Sequence, residues 1–138
     1  MHATQQPPAG LDPTPAATLH RAADHLERHG WSQGAYYADY GSDTPSACVI
    51  GALAIAAYGY PHPDPYSDTF HTDSVDSDCW HRFVTAEYHL STHLGLKPAD
   101  RESLEPETLY DWNDHDGRTA TEVITTLRAA AASYGGAA

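Results

Sequence analysis

The sequence predicts a mainly α fold, a compact single-domain helical bundle of about four helices around a central apolar helix. Residues 47–59 are almost wholly apolar and lie in a run, 44–63, that contains no Asp, Glu, Lys or Arg. A helix that is apolar on every side must be covered on every side. Other segments repeat apolar residues at helical spacing and can supply this cover. The length of 138 residues suits one domain with a single core.

The chain is strongly acidic, with 7 Lys and Arg against 19 Asp and Glu and a formal net charge of −12. High charge with few large aliphatic side chains is typical of disorder. Three Trp, nine Tyr and many Ala lie in periodic segments, however, which favours a folded core. We expect no nucleic-acid partner and no membrane binding, because the chain lacks a basic face for either. The apolar stretch 47–59, with 13 residues, is also shorter than the roughly 20 residues of a membrane span.

The N-terminal end of the chain differs in composition from the rest. Residues 1–13 are rich in Gln and Pro and are predicted to form a flexible N-terminal leader. They contain neither the basic region nor the apolar core of a signal peptide, so we expect a cytoplasmic protein. The single helical domain is predicted to span 14–134, with a mobile acidic loop near 60–77.

The first helix is predicted over 15–29. Thr14 is suited to the N-cap position, and Pro15 to the first helical position. Gly30 is a typical helix end. The apolar stripe of this helix consists of Leu19, Ala22, Ala23 and Leu26.

An aromatic stretch, Trp31–Tyr40, precedes the central helix and has no helical period. The turn residues at 41–45 leave two structures open, a short β-hairpin or an ordered extended loop. Either Thr44 or Ser46 can cap the central helix, which is expected to end near Tyr58.

A third helix is predicted over 78–94. Ser77 or Asp78 can cap it, and Gly95 can end it. Its face at helical spacing comprises Trp80, Phe83, Val84, Glu87, Leu90, Ser91 and Leu94.

The C-terminal part is predicted to contain a short helical turn and a final helix. The turn begins near Pro106 and presents Leu109 and Trp112 on one side, and a polar loop follows at 111–118. Thr119 and Glu122 have the spacing of a capping box at the start of the last helix. The apolar stripe of that helix comprises Val123, Ile124, Leu127, Ala130 and Ala131.

Three motifs together resemble an uncharacterised family of small actinobacterial and phage proteins. They are GWSQGAY at 30–36, CVIGAL at 48–53, and WND at 112–114 followed by GRT at 117–119. The resemblance covers over half of the chain. It implies a compact, mostly helical domain and implies no established activity.

Cys48 is the candidate nucleophile. In the first turn of the central helix, the helix dipole would lower the pKa of its thiol, and a nearby histidine could act as the base. This would make the protein a small cysteine-dependent enzyme of the hydrolase or transferase type. The alternative is a small buried apolar residue. Cys48 and Cys79 are too few for a disulfide framework. In a reducing cytosol they are expected to be free thiols, and a single disulfide bond between them is the alternative.

The loop that begins at Trp112 supplies the best polar candidates for ligand binding. We expect Asn113, Asp114 and Arg118 to face the aromatic stretch across a small pocket. The alternative is that Asn and Asp cap a turn and the final helix. The predicted ligand-binding residues are Gln33, Tyr36, Trp112, Asn113, Asp114 and Arg118.

Two histidine pairs have the i, i+4 spacing of metal ligands, His25 with His29 and His89 with His93. The second pair is expected on the solvent face of its helix, opposite the apolar stripe. We therefore predict no metal site and no cofactor, while a histidine-rich metal-binding protein stays open as an alternative.

The sequence thus favours a small soluble binding or regulatory module. The predicted binding surface combines the stretch Trp31–Tyr40 with the loop Trp112–Arg118. Its partner would be an unknown protein or small molecule. The tyrosines of the first stretch either line a binding groove or cover the central helix.

Overall fold

The computed structural model describes residues 14–66, 74–96 and 108–135, with only the backbone at 74–77 and 134–135. The helices of these segments are α1 (Pro15–His29), α2 (Val49–Tyr58), α3 (Ser74–His93), α4 (Leu109–Asp114) and α5 (Ala120–Gly135). The prediction of a mainly α bundle is confirmed. The predicted leader, 1–13, lies outside the described residues.

Helix α2 is the centre of the core, as predicted. Nine of its ten residues are buried, the exception being Ile55. Helices α1, α3 and α4 all pack against α2, and α5 packs mainly along α1. The covering helices contribute the fully buried side chains of Leu19, Ala22, Ala23, Phe83, Ala86, Leu90, Val123 and Leu127.

Helix α1 has the predicted ends. The Oγ1 of Thr14 accepts a hydrogen bond from the backbone N–H of Ala17 at 3.2 Å, which is the N-cap interaction. At the other end Gly30 has a φ of 99°, and its N–H donates to the carbonyl of Leu26 at 2.9 Å. A positive φ at this place is why glycine is suited to it.

The stretch before α2 is an extended loop, and the hairpin alternative is wrong for the described residues. Ala47 forms a parallel bridge with Trp31 and an antiparallel bridge with Tyr37. A hairpin needs successive pairs along two strands. Here one residue pairs on both of its sides, so the chain wraps around Ala47 and does not form a ladder.

This bridging moves the start of α2 to a later residue than predicted. The N-cap is Cys48, whose Sγ accepts from the N–H of Gly51 at 3.5 Å. Ser46 does not cap α2, because its hydroxyl donates to the carbonyl of His29 at 2.7 Å. Thr44 is not the cap either, since none of the residues between it and Cys48 is helical.

Helix α3 begins at Ser74, four residues before the predicted start at 78. Ser and Asp residues recur through this part of the sequence, and each is an equally good N-cap, so the local sequence does not select one. The predicted loop at 60–77 is shortened accordingly, and its part at 67–73 lies outside the described residues. The predicted end at Gly95 is confirmed by its φ of 75°.

The residues Trp112–Asp114 lie in α4 and not in a loop, which corrects the prediction for this motif. A capping box between Thr108 and Asp111 starts the helix and lets it continue through two residues, Asn and Asp, that are poor helix formers. Leu109 is buried, as predicted. Helix α5 follows with Thr119 accepting from the N–H of Glu122 at 3.1 Å, as the capping box predicts.

The backbone of the aromatic stretch lies directly on α2 at Gly51. A Cβ atom at Gly51 would overlap the carbonyl oxygen of Tyr36 and lie 2.9 Å from Cε1 of Tyr37. The absence of a side chain at this position therefore sets how closely the loop can approach the central helix.

We expect Gly51→Ala to lower the free energy of unfolding by about 1–3 kcal/mol, because the added methyl forces the loop away from α2. Urea denaturation followed by tryptophan fluorescence measures this loss. Gly41→Ala is the matched control, since its new Cβ would meet only the end of the Asp39 side chain, at 3.3 Å. Equal losses in the two variants would contradict the close approach at Gly51.

Candidate functional site

The three sequence motifs meet at the side chain of Asn113, which is fully buried. Its Oδ1 accepts two hydrogen bonds, one from Nε1 of Trp31 at 2.7 Å and one from the backbone N–H of Val49 at 2.9 Å. Val49 is the first residue of α2, so Asn113 satisfies one of the N–H groups that a helix start leaves without a partner. One amide oxygen thus joins the aromatic stretch, α2 and α4.

The amide nitrogen of Asn113 completes this arrangement. It donates to the carbonyl of Ser32 at 3.2 Å and to Oδ1 of Asp114 at 3.0 Å. A side-chain amide has two donor hydrogens and an oxygen that accepts two bonds. All of this capacity is used inside the protein, so Asn113 acts as a structural connector.

Gln33 and Asp114 connect the same two segments nearer the surface. Nε2 of Gln33 donates to the carbonyls of Asn113, at 3.0 Å, and His115, at 3.3 Å. The carboxylate of Asp114 accepts from the N–H of Gly34 at 3.1 and 3.2 Å. We call this set, formed by Trp31, Gln33, Asn113 and Asp114, the interloop lock. These side chains bond to the opposite segment directly and do not face it across a pocket.

Arg118 lies against α4 and α5. Its guanidinium carbon is 4.3 Å from the centre of the Trp112 ring, and its Nε donates to the carbonyl of Trp112 at 2.9 Å. Its Nη1 pairs with Glu122 at 2.8 Å. Stacking and bonding of this kind hold the turn between α4 and α5 closed.

The sequence does not predict three donors that bond to the interloop lock, namely Nε1 of Trp31 and the backbone N–H groups of Gly34 and Val49. Trp31 lies in the motif at 30–36, but no local sequence pattern shows which acceptor its indole N–H will bond. The other two are backbone groups, which carry no sequence signal. Gly34 has a φ of 88°, which is the only local indication that a glycine is required there.

The tyrosines of the aromatic stretch divide between core and surface. Tyr37 is buried, and its hydroxyl donates to the carbonyl of His62 at 2.7 Å. Tyr36 is half-buried and Tyr40 is 59% exposed. The ring of Tyr36 lies 6.1 Å from that of Tyr110 on α4. We call Tyr36, Tyr40 and Tyr110 the tyrosine surface.

Carboxylates lie near the tyrosine surface. Partial burial raises the pKa of Tyr36, and the negative charge of Asp64 adds to the shift. The pKa of Tyr110 is also raised. Desolvation is the largest cause, and the negative charges of Asp114 and Asp111 add to it. These carboxylates are therefore close enough to make the tyrosine surface electronegative.

The environment of Cys48 does not match the predicted nucleophile. The thiol is fully buried, and this burial raises its pKa to about 11. Hydrogen bonds from the backbone of Gly51 and Ile50 act in the opposite direction but are the smaller effect. The expectation of a lowered pKa is therefore wrong, because removal from water outweighs the helix dipole. Cys48 and Cys79 are both free thiols.

The histidine pairs lie in different surroundings. Nε2 of His25 is 2.7 Å from the carbonyl of Pro45, and the ring centre of His25 is 4.8 Å from that of His29. His89 is half-buried with its Nε2 3.1 Å from the carbonyl of Ala130. The prediction of a solvent face is therefore wrong for His89, since α5 packs there, and right for the exposed His93.

Metal-ligand clusters and membrane-spanning helices are both absent from the described residues. No three side chains among the His, Cys, Asp and Glu residues in these segments come together as a metal site would need. None of the described helices combines the length and the apolarity that a membrane crossing requires.

The fold and the lock define a small α-helical domain in which two motif-bearing segments are bonded to the start of a central apolar helix. The chain belongs to a family of unknown function, DUF6197, whose sequence profile matches residues 11–133. The resemblance to an uncharacterised family is thereby confirmed. No curated protein and no solved structure matches the chain significantly.

We expect Asn113→Ala to lower the free energy of unfolding by about 3 kcal/mol or more, because it leaves the N–H groups of Trp31 and Val49 buried without an acceptor. Urea denaturation measures the loss. Gln33→Ala is the control, since Gln33 is exposed and its removal should cost about 1 kcal/mol or less. A loss at Asn113 no larger than at Gln33 would contradict the role of the lock.

We expect Cys48 to react with Ellman's reagent about a hundredfold or more slowly than free cysteine at neutral pH, since each unit of raised pKa removes about nine-tenths of the thiolate. The measurement uses Cys79→Ala, in which Cys48 is the only thiol. The rate should approach that of free cysteine in denaturant. A native rate above that of free cysteine would restore the nucleophile hypothesis.

Proposed function

We propose that this protein is a small binding module whose tyrosine surface takes an arginine-rich segment of a partner protein. The observation that carries the proposal is the exposed ring of Tyr40 beside the half-buried rings of Tyr36 and Tyr110, near carboxylates and on segments joined by the interloop lock. Tyr40 is 59% exposed, although aromatic rings of this size are usually covered. An exposed ring on a well-held loop is typical of a contact surface.

The chemistry of the surface selects the partner. A guanidinium group binds over the face of a tyrosine ring, and the attraction is about 0.5–1 kcal/mol at exposed sites. Carboxylates beside the rings, such as those of Asp111 and Asp114, add a second attraction for the same group. Arginine satisfies both requirements better than lysine, because it is planar and more weakly hydrated.

The charge of the chain supports the same partner. No Lys or Arg occurs between Arg28 and Arg82, a stretch that contains the whole aromatic stretch and α2. A negative surface of this kind attracts a basic segment at long range and repels nucleic acid. The proposed partner is therefore a cytoplasmic protein with a basic segment and not a nucleic acid.

The interloop lock contributes rigidity. Because Gln33 and Asp114 bond the two segments together, the rings of the tyrosine surface are held in place before a partner arrives. A surface that is already ordered loses less conformational entropy on binding. Asn113 therefore supports binding from inside the protein without contacting the partner.

The test is a titration of fluorescein-labelled octa-arginine peptide with the protein, followed by fluorescence anisotropy. We expect Tyr40→Ala to weaken binding about two- to fivefold, as the loss of one cation–π contact at an exposed site implies. Octa-lysine should bind more weakly than octa-arginine, and both should weaken with added salt.

The matched control is Tyr88→Ala. Tyr88 is 58% exposed, which is nearly the exposure of Tyr40, but it lies on α3. Both variants remove an exposed ring and leave the charge of the protein unchanged. Equal effects of the two substitutions would show that binding follows net charge alone and would overturn the proposal. So would the absence of octa-arginine binding at low salt.

A further inference from the structure

A cleft of about 300 Å³ lies between α1 and the C-terminal end of α2, and its lining is cationic. The cations are Arg21 and Arg28, which line one side together with the imidazoles of His25 and His29, and Ile55 contributes to the apolar opposite side. The volume is at the lower end of the range for small-molecule sites. Guanidinium groups around a cleft are unexpected in a chain with a net charge of −12.

The arginine and histidine residues of the cleft form a single stripe along α1. Positions 21, 25, 28 and 29 are separated by helical spacing and share one face. The helix dipole favours cations in the last turn, which accounts for Arg28 and His29. It does not account for Arg21, which lies two turns earlier.

The one carboxylate in the lining has its own partner. Oδ1 of Asp24 pairs with Nη2 of Arg128 on α5 at 2.8 Å. Arg128 also bonds Glu27. Arg128 thus partly neutralises Asp24 from outside the cleft. Since Arg21 and Arg28 outnumber Asp24, the formal charge of the lining is positive.

The two arginines differ in how they are held. Nε and Nη2 of Arg21 donate to the carbonyl of Ala56 at 3.3 and 3.2 Å, which fixes the guanidinium at the end of α2. Arg28 is exposed and makes no ion pair with any residue in the described segments. The cleft therefore has one anchored guanidinium group and one that is available to a ligand.

The orientation of His25 is set by its contact with Pro45. Because a carbonyl can only accept, Nε2 carries the proton and donates to it. Burial lowers the pKa of His25, so the ring is neutral at pH 7. Its ring plane is tilted by 44° from that of His29.

We propose that this cleft binds a small organic anion, a phosphate monoester with a flat apolar body. The phosphate group would bind Arg28 and His29, since its three oxygens accept several charge-assisted hydrogen bonds at once. The apolar body would lie against Ile55 and the ring of His25. A metal cation at the same histidine pair is disfavoured by the two guanidinium groups. The site shares no residue with the tyrosine surface and stands independently of it.

The test is a titration of the full chain with phenyl phosphate, monitored by NMR of the histidine ring protons. We expect saturable shifts of His25 and His29 and a rise in the pKa of His25, because a nearby anion favours the charged imidazole. Phenol lacks the anion and inorganic phosphate lacks the ring, so each should bind more weakly. Equal shifts with inorganic phosphate would contradict the proposed binding of an apolar body against Ile55 and His25. Absence of saturation would overturn the site itself.

Arg28→Gln should weaken phenyl phosphate binding about tenfold or more, as the loss of a charged hydrogen bond implies. The control is Lys97→Gln, which removes one positive charge from a part of the chain outside α1 and α2. Circular dichroism establishes that both variants are folded. A similar weakening in both would show a general charge effect and overturn the proposal.

Discussion

The hydrogen bonding of one buried amide, that of Asn113, is the interaction on which the described site depends. In a dry interior an unpaired polar group is costly, and a fully paired one holds its partners in place. The side chain of Asn113 bonds Trp31, Ser32, Val49 and Asp114, which lie in three separate parts of the chain. Loss of this amide would leave several buried groups unsatisfied at once. The site and the core are therefore stabilised by the same contacts.

The need for such contacts follows from the composition of α2. An all-apolar helix has few side chains of its own with which to satisfy its ends. At its start the partners are Asn113 and the sulfur of Cys48. At its end Arg21 bonds the carbonyl of Ala56, and Arg82 bonds that of Ala57 at 2.9 Å. Polar residues from the surrounding helices thus complete the hydrogen bonding of the central helix.

The two proposed sites use the remaining polar surface in opposite ways. The tyrosine surface combines rings with carboxylates and suits a cation. The cleft along α1 combines guanidinium groups with an apolar side and suits an anion. Charges of both signs are thus sorted to different faces in a chain whose net charge is −12. Such sorting allows a basic protein and a small anion to bind at the same time without competing.

The sequence by itself determined the helical class, the burial of α2 and most helix ends. These depend on local physics, namely apolar periodicity and the caps at Thr14, Gly30 and Thr119. It also placed Gln33, Asn113 and Asp114 among the residues that matter. Only the tertiary structure decided what they do, because hydrogen-bond partners some 80 residues apart leave no local pattern. The same holds for Cys48, whose high pKa results from burial under other segments and not from its place at a helix start.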